Sequence, residues 1–167
     1  MSQFGKTKLV KKLHFDKSAQ EKLLTGIDKI AEAVGSTLGA SGRNVIIEND
    51  YGDPHVTKDG VTVANNILLN DPVENIAVSM MKQAAQKTAS IAGDGTTTSI
   101  VLTKAIIDSF YKLKGQDFSF RDIKLGINKF AKDVIKYITD KATPIDLKML
   151  LDVSVISTNN DVDLGTT

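Results

Sequence analysis

From residue 16 onward the chain repeats one pattern: long stretches of helical periodicity separated by short breaks rich in glycine, asparagine and aspartate. In DKSAQEKLLTGIDKIAEAVGSTLG, Leu23, Ile27, Ile30, Ala31, Val34 and Leu38 recur at the spacing of one helix face. Ser18 with Glu21 reads as a capping box, and the helix is expected to end near Gly39. Residues 44–48 are strand-like, NDYGDP supplies turn chemistry, and residues 55–58 return, which together predict a β-hairpin. A second long helix starts at Asp71 as N-cap, with Pro72 in the first turn and Glu74 completing a box. Its apolar face is Val73, Ile76, Ala77, Met80, Met81, Ala84 and Ala85.

After the break at GDG, helical spacing resumes through Ile100, Val101, Ile106, Ile107 and Phe110. A further helix is expected from Phe120 to about Lys141, carrying Ile123, Ile127, Phe130, Val134 and Ile138. ATPID opens one more short helix, and NNDVD reads as a cap with no helix behind it. Residues 9–15 mix apolar and basic side chains, the pattern of a short edge strand. The expected fold is mainly α, with a small hairpin and that edge strand. A lone two-stranded hairpin is marginal, so strands are expected to be shared with sequence or a chain outside these elements.

The break SIAGDGTTTSIVL interrupts good helical sequence to place one carboxylate, Asp94, between Gly93 and Gly95. Glycines let a backbone turn tightly and approach a ligand. Thr96, Thr97 and Thr98 open the next helix, where free N–H groups and the dipole favour an anion. A carboxylate repels phosphate unless Mg²⁺ bridges the two, since that ion takes oxygens from one or two carboxylates and from phosphates together. The competing reading is punctuation only, a glycine stop followed by a threonine cap. On residues alone both stand.

Two further breaks invite the same comparison. TLGASGRN, residues 37–44, is a glycine-bearing turn at a helix end, a common C-terminal stop. In TKDG, residues 57–60, Asp59 is first of all a helix cap. Its functional alternative is a carboxylate that orients water or supports a metal from behind its direct ligands. GKT at residues 5–7 lacks the glycines and strand of a phosphate loop. His14 and His55 have no metal-ligand spacing and read as a strand face and a turn; Met80 and Met81 read as core. Lys6, Lys8, Lys11 and Lys12 read as a solvated edge that discourages strand pairing.

Composition narrows the classes. With 21 basic and 20 acidic side chains in 167 residues, the net charge of +1 gives no reason to expect nucleic acid or an acidic membrane as partner. No cysteine is present, so there is neither a disulfide framework nor a thiolate metal site. The polar start MSQFGKTKLVKKLHF lacks the apolar run of a signal peptide. No stretch reaches the ~20 apolar residues that span a bilayer. A cytoplasmic protein, or a piece of one, is expected.

TLGASGRNV, VTKDGVTVA and AGDGTTTSIVL occur in one order, and together they closely resemble the N-terminal part of the group I chaperonins, the GroEL-type proteins. VISTNND is similar to that family's intermediate region, so the resemblance covers essentially the whole chain. It implies a chaperonin equatorial domain through residues 1–140, ATP-binding and mostly helical, and the beginning of the intermediate hinge domain over 141–167. It implies an ATP-dependent protein-folding subunit, an ATPase by family, working as a homo-oligomeric ring. Clients and co-chaperonin would be met through an apical domain, which is expected to be missing from this chain.

The resemblance also implies a site. Thr37, Leu38, Gly39 and Ala40 match the segment lining the nucleotide, and Lys58 matches a nucleotide position with its backbone as the expected contact. Asp94 matches the Mg²⁺ ligand, Gly95, Thr96, Thr97 and Thr98 match the phosphate cradle, and Asp59 matches a carboxylate implicated in hydrolysis. ATP and Mg²⁺ are the implied cofactors, with K⁺ as an additional ion. Ala40 departs from the family's usual proline and Ser41 from its usual lysine. Losing the proline frees φ at that turn. The family's main catalytic aspartate and C-terminal equatorial half are expected to be missing, so negligible turnover is expected of this chain alone. The alternative is a non-catalytic truncated subunit that joins or disturbs chaperonin rings.

Overall fold

A computed structural model of the protein describes residues 13–39, 41–48, 52–113, 118–158 and 161–166. In chain order these form α1 (Asp16–Gly35), β1 (Val45–Ile47), β2 (His55–Thr57), α2 (Gly60–Asn66), α3 (Pro72–Ala92), α4 (Thr96–Leu113), α5 (Phe120–Lys141), α6 (Leu147–Ser157) and α7 (Val162–Gly165). The expected mainly α fold with one small hairpin is what the chain adopts. Two compact units divide it, Met1–Lys104 and Ala105–Thr167. Among the described residues no helix is long and apolar enough to cross a membrane.

The first unit is organised by one apolar cluster. α1 contributes Ile30, Ala31 and Val34, α2 contributes Val63 and Ala64, α3 contributes Val78, Met81 and Ala85, and α4 contributes Ile100. Burying one such aliphatic side chain is worth about 1.5–3 kcal/mol, so this cluster dominates over the surface ion pairs around it. α1 and α3 touch closely because Gly26 has no Cβ; one added there would lie 2.3 Å from the Glu74 carbonyl oxygen. Flanking that contact, Lys22 pairs with Asp71 and Lys29 donates to Glu74 at 2.6 Å. Lys104 of α4 pairs with Asp28 of α1 at 2.8 Å.

The hairpin is antiparallel, with Val45 opposite Thr57, Ile46 opposite Val56 and Ile47 opposite His55. Val45 packs on the core while Ile46 and Val56 face outward. His55 therefore opens a strand and is not part of the turn.

Helix ends show which local signals prevailed. Asp71 accepts from the Val73 and Glu74 N–H groups with Pro72 in the first turn, as its sequence predicts. Glu74 does not complete a box; its carboxylate goes to Lys29 instead. α1 starts at Asp16 after Phe15, with no side-chain cap, and the Ser18 hydroxyl donates back to the Phe15 carbonyl. It ends at Gly35, four residues short of Gly39, and Ser36 is its C-cap. The edge strand expected over residues 9–15 falls mostly outside the described residues, and Leu13, His14 and Phe15 lie in neither helix nor strand. On α3, Ile76 and Met80 are exposed although apolar and correctly spaced; Val78 takes a core position in their stead.

In the second unit, α5 occupies the expected range, capped by the Ser119 hydroxyl accepting from the Asp122 N–H. None of its residues is buried, and Phe130 and Ile138 stand exposed. Phe110 meets Tyr111 and Phe120 edge-on, at 5.4 and 5.6 Å between ring centres. α6 is capped by Asp146. Contrary to the sequence expectation, a helix does follow NNDVD: Asp161 caps the four-residue α7, which packs Gly165 against Val155 of α6.

Candidate functional site

Three helix ends meet at one edge of the first unit. The last turn of α1 brings Val34 and the turn that follows it brings Thr37, α2 begins with Gly60, and α4 begins with Thr96, Thr97 and Thr98. Gly60 is the junction. A Cβ on it would lie 1.9 Å from the Thr97 hydroxyl oxygen and 3.2 Å from a Val34 methyl. Only a hydrogen fits there, so the start of α2 sits directly on the start of α4.

Asp59 stands immediately before that contact as the N-cap of α2. Its Oδ2 accepts from the Thr62 N–H at 2.8 Å and the Thr62 hydroxyl at 2.5 Å, and Oδ1 accepts from the Val61 N–H at 3.3 Å. Partial burial pushes its pKa up, but the Thr62 hydroxyl and the Thr62 and Val61 N–H groups outweigh that and hold it below the ordinary aspartate value. Asp59 is thus an ionised cap, better suited to orienting a neighbour than to taking up a proton. Lys58 beside it is exposed.

The GDG break is built from two left-handed glycines. Gly93 closes α3 at φ 77° and donates to the Ala89 carbonyl at 2.9 Å, and Gly95 follows at φ 82°. Gly95, not a threonine, holds the cap position of α4, because its carbonyl accepts from the Ser99 N–H at 2.9 Å. Punctuation alone would account for the glycines. Asp94 is left exposed by these turns at the mouth of α4, with a carboxylate oxygen accepting from the Gly95 N–H at 2.6 Å. Behind it Thr96 is buried, Thr97 half-buried against Gly60, and Thr98 exposed.

The α1 turn completes the edge. The Thr37 hydroxyl donates to the Val34 carbonyl at 2.7 Å, the Gly42 N–H to the Gly39 carbonyl at 2.9 Å, and the Arg43 N–H to the Ser36 carbonyl at 2.8 Å. Gly39 is left-handed at φ 78° and Leu38 is exposed. Ala40 lies outside the described residues.

Direct contact therefore unites Gly60 with Thr97, and with Thr37 by way of Val34. Asp94, Lys58 and Leu38 are brought to the surface without being packed. Sequence reasoning missed Gly60 as the junction; its position one residue after a cap aspartate was the available signal. Among the described residues no three His, Cys, Asp or Glu side chains gather as a closed metal cage.

Residues 30–166 match the model of the TCP-1/cpn60 chaperonin family. Chaperonin 60 subunit beta 3 of Arabidopsis thaliana chloroplasts is 40% identical over 166 residues, covering 98% of this chain and 28% of that protein. Chaperonin GroEL 1 of Rhodopirellula baltica is 42% identical over 160 residues, covering 94% of this chain and 28% of that protein. The crystal structure of the chaperonin gp146 from bacteriophage EL 2 (Pseudomonas aeruginosa), in the presence of ATP-BeFx, matches with a TM-score of 0.76 and 32% identity over 90% of this chain and 26% of that one. The chain thus spans little more than a quarter of the length of these relatives. With four-fifths of its residues inside the family match, the chain belongs to the TCP-1/cpn60 chaperonin family.

Proposed function

We propose that this chain is the N-terminal, nucleotide-holding part of an ATP-driven chaperonin subunit that assists protein folding. The observation that carries the reading is Asp94, held out by two left-handed glycines at the start of α4, with Gly60 of α2 packed against Thr97. A single exposed carboxylate beside a helix start suits Mg²⁺, which takes one or two protein oxygens and fills its shell with phosphate and water. Asp94 would hold the ion, and Gly95, Thr96, Thr97 and Thr98 would receive phosphate oxygens through N–H and hydroxyl groups. Thr37, Leu38, Gly39 and Ala40 would line the nucleotide, with the Lys58 backbone beside it. Asp59 would support hydrolysis by orientation. Mg²⁺, when bound, neutralises phosphate charge; K⁺ is a second candidate ion.

In the same reading residues 1–140 belong to an equatorial domain and residues from 141 begin a hinge domain. The partners are further copies in a ring and unfolded client proteins, and the compartment is the cytoplasm. The ATP-BeFx named with the phage chaperonin structure supports nucleotide use in this family.

The test is calorimetric titration of the chain with ATP, with Mg²⁺ or with a chelator. Mg²⁺-dependent binding is expected, weakened at least tenfold in Asp94→Ala, while the unfolding midpoint stays within the small range typical of exposed surface changes. Turnover by the chain alone is expected to be negligible. No binding by the unaltered chain, or equal binding by Asp94→Ala, would sink the proposal.

A further inference from the structure

We infer that Lys82 is a positioning residue for this site, acting through α2 from the end opposite to Asp59. The inference rests on the nucleotide reading above. α2 has seven residues, two turns, too few to keep its own orientation. Lys82 reaches over from α3 and donates to the carbonyl oxygens of Asn65 at 2.9 Å and Ile67 at 2.7 Å. Helix ends leave such carbonyls without intrahelical donors, and a cation there also answers the negative end of the helix dipole.

At the other end the Asp59 carboxylate takes the Val61 and Thr62 N–H groups. α2 is therefore gripped by an anion at its start and a cation at its finish, with Val63 and Ala64 buried between. The grip matters because of Gly60, whose contact with Thr97 leaves no slack. Seven residues make a lever of about 10 Å, so a tilt of about 6° at the Lys82 end shifts Asp59 and Gly60 by about 1 Å. Misplacement on that scale is enough to degrade a binding or reacting geometry. Burial lowers the Lys82 pKa, the expected mark of an ammonium drawn from water to serve these carbonyls.

The experiment compares the unaltered chain, Lys82→Met and Lys82→Arg in two measurements, Mg-ATP titration and amide hydrogen exchange. Lys82→Met is expected to weaken Mg-ATP about five- to tenfold, from the loss of a charged double donor. Exchange at Val61 and Thr62 should accelerate while Val78 and Met81 of α3 keep their protection. Lys82→Arg should restore most of both. Affinity unchanged in Lys82→Met would overturn the inference and leave the nucleotide reading standing. So would equal acceleration across α2 and α3, since Lys82 would then merely stabilise the unit. No Mg-ATP binding by the unaltered chain would take both down. Should Lys82→Met fail to fold, Lys82→Gln, a neutral donor, is held to the same criteria.

Discussion

Replacing Gly60 by alanine tests the junction of α2 and α4 most directly. The new Cβ would lie 1.9 Å from Thr97 Oγ1, 3.1 Å from Thr97 Cβ and 3.2 Å from Val34 Cγ1. Thr97 is β-branched and stiff about χ1, and Val34 is 0% exposed, so neither neighbour yields freely. Overpacking by one methyl costs about 1–3 kcal/mol, and alanine's helix preference over glycine returns up to about 1 kcal/mol. A 1.9 Å contact between stiff neighbours puts the cost in the upper half of that range, about 2–3 kcal/mol, so a net loss of about 1–2 kcal/mol follows. Urea unfolding would read it as a midpoint lowered by about 0.5–1 M, for a slope near 2 kcal/mol/M. Thr97→Ala removes the hydroxyl that the methyl strikes, so Gly60→Ala with Thr97→Ala should be more stable than the sum of the single changes, with coupling of about 1 kcal/mol. A Gly60→Ala chain as stable as its parent, or strictly additive changes, would refute the close contact.

Two further outcomes follow from the α1–α3 packing. Gly26→Ala drives a Cβ to 2.3 Å from a backbone oxygen, Glu74 O, which cannot rotate aside; the loss should sit at the top of the about 1–3 kcal/mol range and exceed that of Gly60→Ala in the same urea assay. The ammonium of Lys22, aided by the Glu74 and Val73 N–H groups, holds Asp71 at a pKa of about 2 against an ordinary 3.8. A carboxyl depressed on folding stabilises the fold above its ordinary value and loses that contribution as pH falls through its folded value. The melting-point advantage of the parent over Asp71→Asn should therefore be full well above 3.8 and shrink towards zero as pH approaches about 2. A gap that does not change with pH contradicts this.

Local signals were legible in the sequence wherever the local answer had no competitor. Asp71 with Pro72 caps α3, Asp59 caps α2, and α5 runs from Phe120 to Lys141 as its spacing implies. Where a distant partner offered more, local reading failed. Glu74 left its box for Lys29, 45 residues earlier. Ile76 and Met80 carry the right spacing, yet the core took Val78, because the spacing of apolar residues does not say where the facing helices lie. At the site, the order of glycines, aspartates and threonines was readable. That Gly60 touches Thr97, and that Lys82 closes α2, depends on how helices 15 to 37 residues apart cross, which no local pattern encodes.

The unpacked state of α5 has a thermodynamic consequence of its own. At 22 residues it is longer than any other described helix, yet none of its side chains is buried. A helix of about that length held by its own hydrogen bonds is marginal in water and frays gradually with heat. The first unit, knit through Ile30, Val34, Val78 and Ile100, is expected to melt as a block. Circular dichroism, which counts helical residues regardless of packing, then superimposes a slope from α5 on a step from the core. A single melting temperature would describe the step alone, and calorimetric and van't Hoff enthalpies for this chain are expected to part company by the share that α5 contributes.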